Sequence, residues 1–345
     1  MVPREPAVER GPRGEPPLTT PAVRFSVVVP TLGDRAKLGS LLEALARQTE
    51  EPSRWELILA ADAPRLDPEI GARLESFPVP ARVVPTSGGP GAGRNRGAAV
   101  AAGGWIAFTE DDCTPARDWL ERAAAAIDTH PDIDVVLGTT LKPGGRRVHR
   151  QAGGAALYLP TNLFVRREVF ERSGGYCERY FDPNSRVYFR EDSDFAFVLE
   201  TMNTHVIEAA DAVVEHPEEH PRFLDPLRWS RRYVMDGLLA ARFPRRFRER
   251  IEVHHVGPFL IRRPIVRASA GTVAALLASA AAALSGHRGL SASLLVVAAA
   301  CLLVVWAKWR FDPRRLPVVP LVPFVLIAAL ARGWWRARSV ASVER

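Results

Sequence analysis

Lysine, cysteine and methionine are each scarce in this 345-residue chain, with three of each. Lysine stands only at Lys37, Lys142 and Lys308, so arginine carries the net charge of +7, a bias that points to G- and C-rich coding sequence. Cys113, Cys177 and Cys301 lie far apart and form no Cys-x-x-Cys pair. That argues against a disulfide framework or a thiolate zinc site, and fits a reducing compartment. Residues 1–22 are rich in Pro, Arg and Glu and hold no continuous apolar block, which excludes a secretory signal there. They are expected to form a disordered leader, having too little apolar surface to offset the cost of ordering. No Gly-Lys-Ser/Thr follows the glycines of segment 87–93, so there is no P-loop, and no internal repeat is present.

What is present excludes global disorder: 47% of residues are hydrophobic and 25% charged. The mean hydropathy of −0.05 resembles that of a soluble protein, but a polar domain joined to an apolar one gives the same average. Order is expected from Val23. The β-branched run Arg24–Thr31 predicts a strand buried on both faces, and Asp34 can cap a helix carrying Leu38, Leu41, Leu42 and Leu45. Further strands are predicted at Trp55–Ala60, Ala81–Pro85 and Trp105–Thr109. A glycine loop at Ser87–Asn95 should lead into a helix over Arg94–Ala102. A helix is expected over Thr114–Ile127, strands at Val135–Thr139, Leu163–Arg166 and within His205–Val214, and a helix at Asp192–Met202. This alternation predicts a mainly parallel α/β sheet with ligand groups at the carboxyl ends of its strands.

Segment 222–250 interleaves nine arginines with Trp229, Tyr233, Phe243 and Phe247, which suggests amphipathic helices. Beyond Pro264 the composition changes. Neither 268–285 nor 290–307 contains a charged residue, and with their flanks both meet the ~20 residues needed to cross a bilayer. The short His287-Arg288-Gly289 link makes them an antiparallel hairpin, with spans at about 266–286 and 289–307. A third apolar segment, 316–331, is interrupted at its start by Pro317, Pro320 and Pro323. It could be a short span, a re-entrant segment or an interfacial helix. Arg262, Arg263 and Arg267 precede the hairpin and Lys308, Arg310, Arg314 and Arg315 follow it, which by the positive-inside rule places the N-terminal domain in the cytoplasm. Arg332, Arg336 and Arg338 after the third segment argue against a full crossing there. The domain reading is a 1–22 leader, a 23–220 catalytic-type domain, a 221–264 basic juxtamembrane segment, membrane-associated helices at 265–332 and a basic tail at 333–345.

Three acidic or glycine-rich constellations carry chemistry. Glu110-Asp111-Asp112 ends an apolar strand, where adjacent acids repel one another unless a cation such as Mg²⁺ or Mn²⁺ is present; a solvated acidic turn is the alternative. Glu191-Asp192 with Asp194 offers a carboxylate for general-base work, or merely an N-cap and a favourable first-turn charge. The glycine run with Arg94 suits a phosphate at a helix N-terminus. His216 is either a metal ligand or a structural imidazole.

The order of these features is more specific than any one of them. Ser26–Thr31, Asp62, Gly91-Ala-Gly-Arg-Asn-Arg-Gly97, Gly104–Asp112, Arg166-Arg-Glu168 with Gly174-Gly-Tyr176, Glu191-Asp192 and His216 together resemble the family 2 glycosyltransferases of the GT-A fold, over roughly residues 24–216. The resemblance implies a Rossmann-like, nucleotide-sugar-binding mixed sheet flanked by helices. It implies that Pro30, Thr31 and Asp62 hold base and ribose, and that Arg94 and Asp111 lie toward the nucleotide. Glu110, Asp112 and His216 would hold a divalent metal, and Asp192 would be the catalytic base. Two departures stand out: Ala61-Asp62 replaces the family's frequent paired aspartates, and the metal motif begins with Glu110 rather than Asp.

The activity so implied is inverting transfer from a nucleotide-diphosphate sugar to a hydroxyl, with the metal stabilising the leaving diphosphate. The tail points to a lipid-linked or cell-envelope glycan acceptor and to membrane lipids as partners, at the cytoplasmic membrane. A polyprenyl-phosphate sugar synthase is the enzymatic alternative. A catalytically inactive, membrane-tethered sugar-nucleotide-binding scaffold is the alternative of another class. Nucleic acid is excluded as a partner, because the basic residues cluster beside the apolar segments and no nucleic-acid motif accompanies them.

Overall fold

The computed structural model describes residues 23–33, 35–61, 66–148, 158–218, 222–256 and 259–343. The leader, Asp34 and Asp62 lie outside the described residues. Strand β1 (Phe25–Thr31) is followed by α1 (Arg35–Leu45), β2 (Trp55–Ala61), α2 (Pro68–Glu75), β3 (Ala81–Pro85), α3 (Gly89–Ala99) and β4 (Trp105–Phe108). Then come β5 (Thr114–Pro115), α4 (Trp119–Thr129), β6 (Val135–Lys142), β7 (Arg146–Arg147), β8 (Leu163–Arg166) and α5 (Arg167–Ser173). A small hairpin of β9 (Phe181–Asp182) and β10 (Val187–Tyr188) precedes α6 (Glu191–Thr201) and β11 (Val206–Glu215).

The main sheet has the order β3-β2-β1-β4-β8-β6-β11-β5, with β7 beside β6. It is mixed rather than mainly parallel: β3, β2, β1 and β4 run parallel, whereas β8 is antiparallel to both β4 and β6. Strand order reverses between β1 and β4, and it is at such a switch point that open α/β sheets bind ligands. Alternation along β1 sends Phe25, Val27 and Val29 to one buried face with Leu38, Leu41, Leu42 and Leu45 of α1. Val28 goes to the other face, with Phe108, Tyr176 and Phe195. Each fully buried Val, Leu or Phe contributes about 1.5–3 kcal/mol relative to exposure, so both faces fix the register of β1.

Two local expectations change. The glycine run is not a loop; it forms the first turns of α3. Glycine is needed there for close packing, since a Cβ on Gly93 would lie 3.0 Å from Pro30 Cβ and one on Gly97 would strike Val28. The helix expected from Thr114 begins instead at Trp119, because Thr114 and Pro115 pair with Glu215 and Val214 of β11.

The arginine-rich segment forms α7 (Asp225–Arg231), a 3₁₀ turn at Arg232–Met235, α8 (Asp236–Arg242), the short α9 (Pro244–Arg246) and a π-helical turn at Phe247–Ile251. Several of its arginines point inward. Arg242 grips Asp194 of α6 at 2.6 and 3.2 Å, and Arg246 and Arg250 reach Glu200 of the same helix at 3.2 and 3.4 Å. Phe243 and Phe247 complete this seam against Phe197. A hairpin of β12 (Val253–Val256) and β13 (Phe259–Arg262), which no sequence pattern indicated, leads to the apolar helices.

Three C-terminal helices are long and apolar enough to cross a membrane. Helices α10 (Pro264–Leu284) and α11 (Arg288–Ala307) form an antiparallel pair, joined near its tip by a Ser279–Ser291 hydrogen bond of 2.9 Å. Leu295, Val296, Leu303 and Val304 of α11 are exposed. After the prolines, α12 (Val322–Arg336) packs on α10 and on α7, the following 3₁₀ turn and α8. Its far end stays on the main domain: Arg336 lies 3.6 Å from Asp182, and the Val343 amide donates to the Arg242 carbonyl at 2.8 Å.

Candidate active site

The carboxyl ends of β1 and β4 lie side by side at the switch point, which brings Thr31 next to the acidic triplet. The Thr31 hydroxyl donates to Asp111 Oδ2 at 2.7 Å and itself accepts from the Gly33 amide at 2.9 Å. Asp111 therefore turns toward β1, and its neighbours turn the other way. Pairing of β5 with β11 sets Thr114 opposite Glu215, so His216 arrives beside Glu110, Asp112 and Cys113. His216 Nε2 lies 3.6 Å from Glu110 Oε2 and 3.8 Å from Asp112 Oδ1. Its Nδ1 is 2.8 Å from the Pro217 carbonyl. Nδ1 also has Lys142 Nζ at 3.0 Å, so a donor and an acceptor both face it, and Nε2 is the nitrogen turned to the acids.

Glu110 uses its extra methylene to bridge: Oε1 accepts from Arg94 at 3.0 Å while Oε2 faces His216. Burial works to raise the Glu110 carboxyl, but His216, Arg94 and Lys37 outweigh it and hold it below its usual value. The Glu110 carboxylate in turn raises His216 against the effect of burial. Ligand atoms of Glu110, Asp112, Cys113 and His216 all lie within 4.8 Å of one another. Burial, with Glu110 and Asp112 alongside, pushes the Cys113 thiol well up, and a soft sulfur is in any case a poor match for a hard oxygen-seeking cation. The remaining two carboxylates and an imidazole fit a divalent cation such as Mn²⁺ or Mg²⁺.

Arg94 links this cluster to the second acidic pair. Its side chain is 1% exposed, with one guanidinium nitrogen on Glu110 and another 3.9 Å from Glu191. The guanidinium lies 5.2 Å from the centre of the Tyr176 ring, which stacks on Phe195 of α6 at 4.4 Å. Burial pushes Glu191 up to about 7, with the Asp192 charge adding and Arg94 opposing. Burial also raises Asp192, against the Ser193 amide, Arg190 and Arg94. Two acidic sites thus share one buried arginine.

Residues 26–194 match the family model for glycosyl transferase family 2. Those residues form a domain similar to the family 2 glycosyl transferases. The PGL/p-HBAD biosynthesis glycosyltransferase of Mycobacterium bovis is 32% identical over 178 residues, covering 46% of this chain and 65% of that protein. An uncharacterized glycosyltransferase of Haemophilus influenzae is 30% identical over 112 residues, covering 32% of this chain and 37% of that one. The chain thus spans less than two thirds of the length of these curated relatives. The fold is that of mannosyltransferase PcManGT from Pyrobaculum calidifontis, solved in complex with GDP-Man and Mn²⁺. The TM-score is 0.53 at 19% identity, with 91% of this chain and 87% of that one covered.

Within the glycosyl transferase domain, Thr31, Arg94, Glu110, Asp111, Asp112 and His216 converge, and Glu191 joins Asp192 to them through Arg94. Pro30 packs under α3 at the end of β1. Sequence reasoning missed Lys37, whose Nζ is 3.3 Å from Asp112, and Lys142, whose Nζ is 3.0 Å from His216 Nδ1. It also missed Cys113 and the Tyr176 platform. Scarcity itself was the available signal, since two of only three lysines reach the glycosyl transferase site.

Proposed function

We propose that the protein is a metal-dependent, inverting glycosyltransferase. It would move a sugar from a nucleotide-diphosphate donor to a hydroxyl of a lipid-linked or envelope glycan at the cytoplasmic membrane face. The observation that carries this reading is the convergence of Glu110, Asp112 and His216 at the β1/β4 switch point, joined through Arg94 to Glu191-Asp192. Pro30 and Thr31, with Asp62, hold base and ribose, and Asp111 is kept on that side by Thr31. Glu110, Asp112 and His216 hold the cation, which when bound supplies positive charge against the leaving diphosphate. Arg94 fixes Glu110 on one side and Glu191 on the other.

Asp192 takes the proton from the acceptor hydroxyl. Burial raises its proton affinity, which favours accepting that proton. Direct displacement inverts the anomeric centre without a covalent enzyme intermediate. Helices α10 and α11 span the membrane, and α12 is a docked helix rather than a third span. Its two ends support this: Val322 packs with Ala268 and Val305 where the hairpin enters, and Arg336 sits on Asp182.

The test is a donor screen by mass spectrometry on membranes containing the full chain, with Mn²⁺ and with EDTA, beside an Asp192→Asn variant. Transfer that EDTA and Asp192→Asn each abolish is expected. Binding without turnover would assign the scaffold alternative, and a product on polyprenyl phosphate itself would assign the synthase alternative. Undiminished transfer by a folded Asp192→Asn protein would overturn the base.

A further inference from the structure

Four described arginines have a positive φ, and two of them, Arg190 and Arg263, stand at junctions that matter to the site. Arg190 (φ 76°) immediately precedes Glu191-Asp192 at the start of α6. Arg263 (φ 47°) immediately precedes α10, the first apolar helix. Such a backbone is unfavourable for a side chain with a Cβ and persists only where the surroundings impose it.

One carboxylate ties the two together. Asp236, the first residue of α8, is wholly buried. Its Oδ1 accepts from Arg190 Nε at 2.9 Å, and its Oδ2 pairs with Arg263. Arg263 is anchored again by Glu252, whose carbonyl accepts its amide at 2.9 Å and whose carboxylate lies 3.8 Å from its guanidinium.

The other end of the hairpin reaches the same place. Lys308, just past α11, donates to the Tyr233 hydroxyl at 3.3 Å. Tyr233 faces Phe189 with ring centres 6.2 Å apart, and the Arg190 guanidinium lies over Phe189 at 4.2 Å. A buried ion cluster is a poor way to gain stability, because apolar side chains of the same volume do as well or better. It is, however, a stiff and directional link.

We propose that Asp236 is a positioning residue that couples the membrane hairpin to the catalytic helix. Through Arg190 it sets the start of α6, and hence Asp192, while through Arg263 it makes that placement depend on how α10 leaves the domain. The inference rests on Asp192 as the proton acceptor proposed above.

The test uses the full chain in lipid nanodiscs, comparing wild type with Asp236→Asn, Arg263→Gln, Arg246→Gln and Asp192→Asn. Bound nucleoside diphosphate with Mn²⁺ counts the folded sites, so a variant that folds poorly does not distort the rate per site. Arg263→Gln carries the test if Asp236→Asn binds no nucleotide. Asp236→Asn and Arg263→Gln are each expected to lower transfer per site about tenfold, with nucleotide affinity within about twofold. Amide hydrogen exchange should quicken at residues 191–195 and not over the last turn of α6. Arg246→Gln, which loosens the far end of α6 at Glu200, is expected to keep the rate per site within about twofold. Wild-type rate and exchange in both Asp236→Asn and Arg263→Gln, with Asp192→Asn inactive, would overturn the coupling alone. Full transfer by Asp192→Asn would overturn the base assignment and the coupling with it.

Discussion

Gly237 of α8 and Gly333 of α12 touch backbone to backbone: a Cβ on Gly237 would collide with the Gly333 carbonyl group, and one on Gly333 with the Val234 carbonyl. The two helices cross where neither has a side chain. Because Arg242, on the same α8, grips Asp194 of α6, this crossing ties the last apolar helix to the helix that carries Glu191-Asp192.

Gly333→Ala should therefore cost about 1–3 kcal/mol, the usual penalty for overpacking a tight contact. Proteolysis in detergent is the measure, with α12 and the segment after it cut sooner than in wild type while the main domain stays resistant. Gly289→Ala, in open space at the start of α11, is the control and should change nothing.

The proposed docking of α12 also predicts the side on which residue 345 lies. A fluorescent reporter fused after residue 345 should fold and light up on the cytoplasmic side, the side assigned to the catalytic domain. Three spans would put the reporter on the opposite face, where an alkaline phosphatase fusion would be active instead.

Arg94 stands between two acids with almost no access to water. Arg94→Met leaves Glu110 and Glu191 without their shared cation and should destabilise the fold by roughly 3–5 kcal/mol. Arg117→Met, at an exposed arginine just before α4, should be near neutral by comparison. Chemical denaturation of the two variants under one condition gives the ranking.

The pH dependence of stability has a sign set by Glu191. Its carboxyl is raised from 4.5 to about 7, so between those values the folded protein keeps a proton that the unfolded chain has lost. Stability consequently falls as pH rises through that window, by on the order of 3 kcal/mol if Glu191 acted alone. Glu191→Gln keeps the shape and does not titrate. Its thermal midpoint should match that of wild type near pH 5 and exceed it at pH 8.

Local chemistry made much of this molecule legible in its sequence. The apolar runs located β1, β2 and β8 because strands buried on both faces leave few other residue choices. The order of the acids and His216 marked the site, since each sits at a strand or helix end. The glycine run misled because a flexible loop and a closely packed helix ask for the same residue. Only the positions of Pro30 and Val28 decide between them. The arginines of 222–250 suggested a face for anionic headgroups, yet Arg242, Arg246 and Arg250 turn to Asp194 and Glu200. Their partners lie some fifty residues away along the chain, where no periodicity can reveal them.

The lysines give the site an uneven firmness. The buried carboxylates of Asp194 and Asp236 each pair with a guanidinium, whose planar fork holds direction as well as charge. At Asp112 the chain uses Lys37, a compact ammonium on a four-carbon stem reaching in from α1 with nearly half its side chain in water. Glu110 is thus held by a rigid partner and Asp112 by a yielding one. The acidic cluster therefore has a firm side at Glu110, where its arginine is buried, and a softer one at Asp112, where its lysine is half in water.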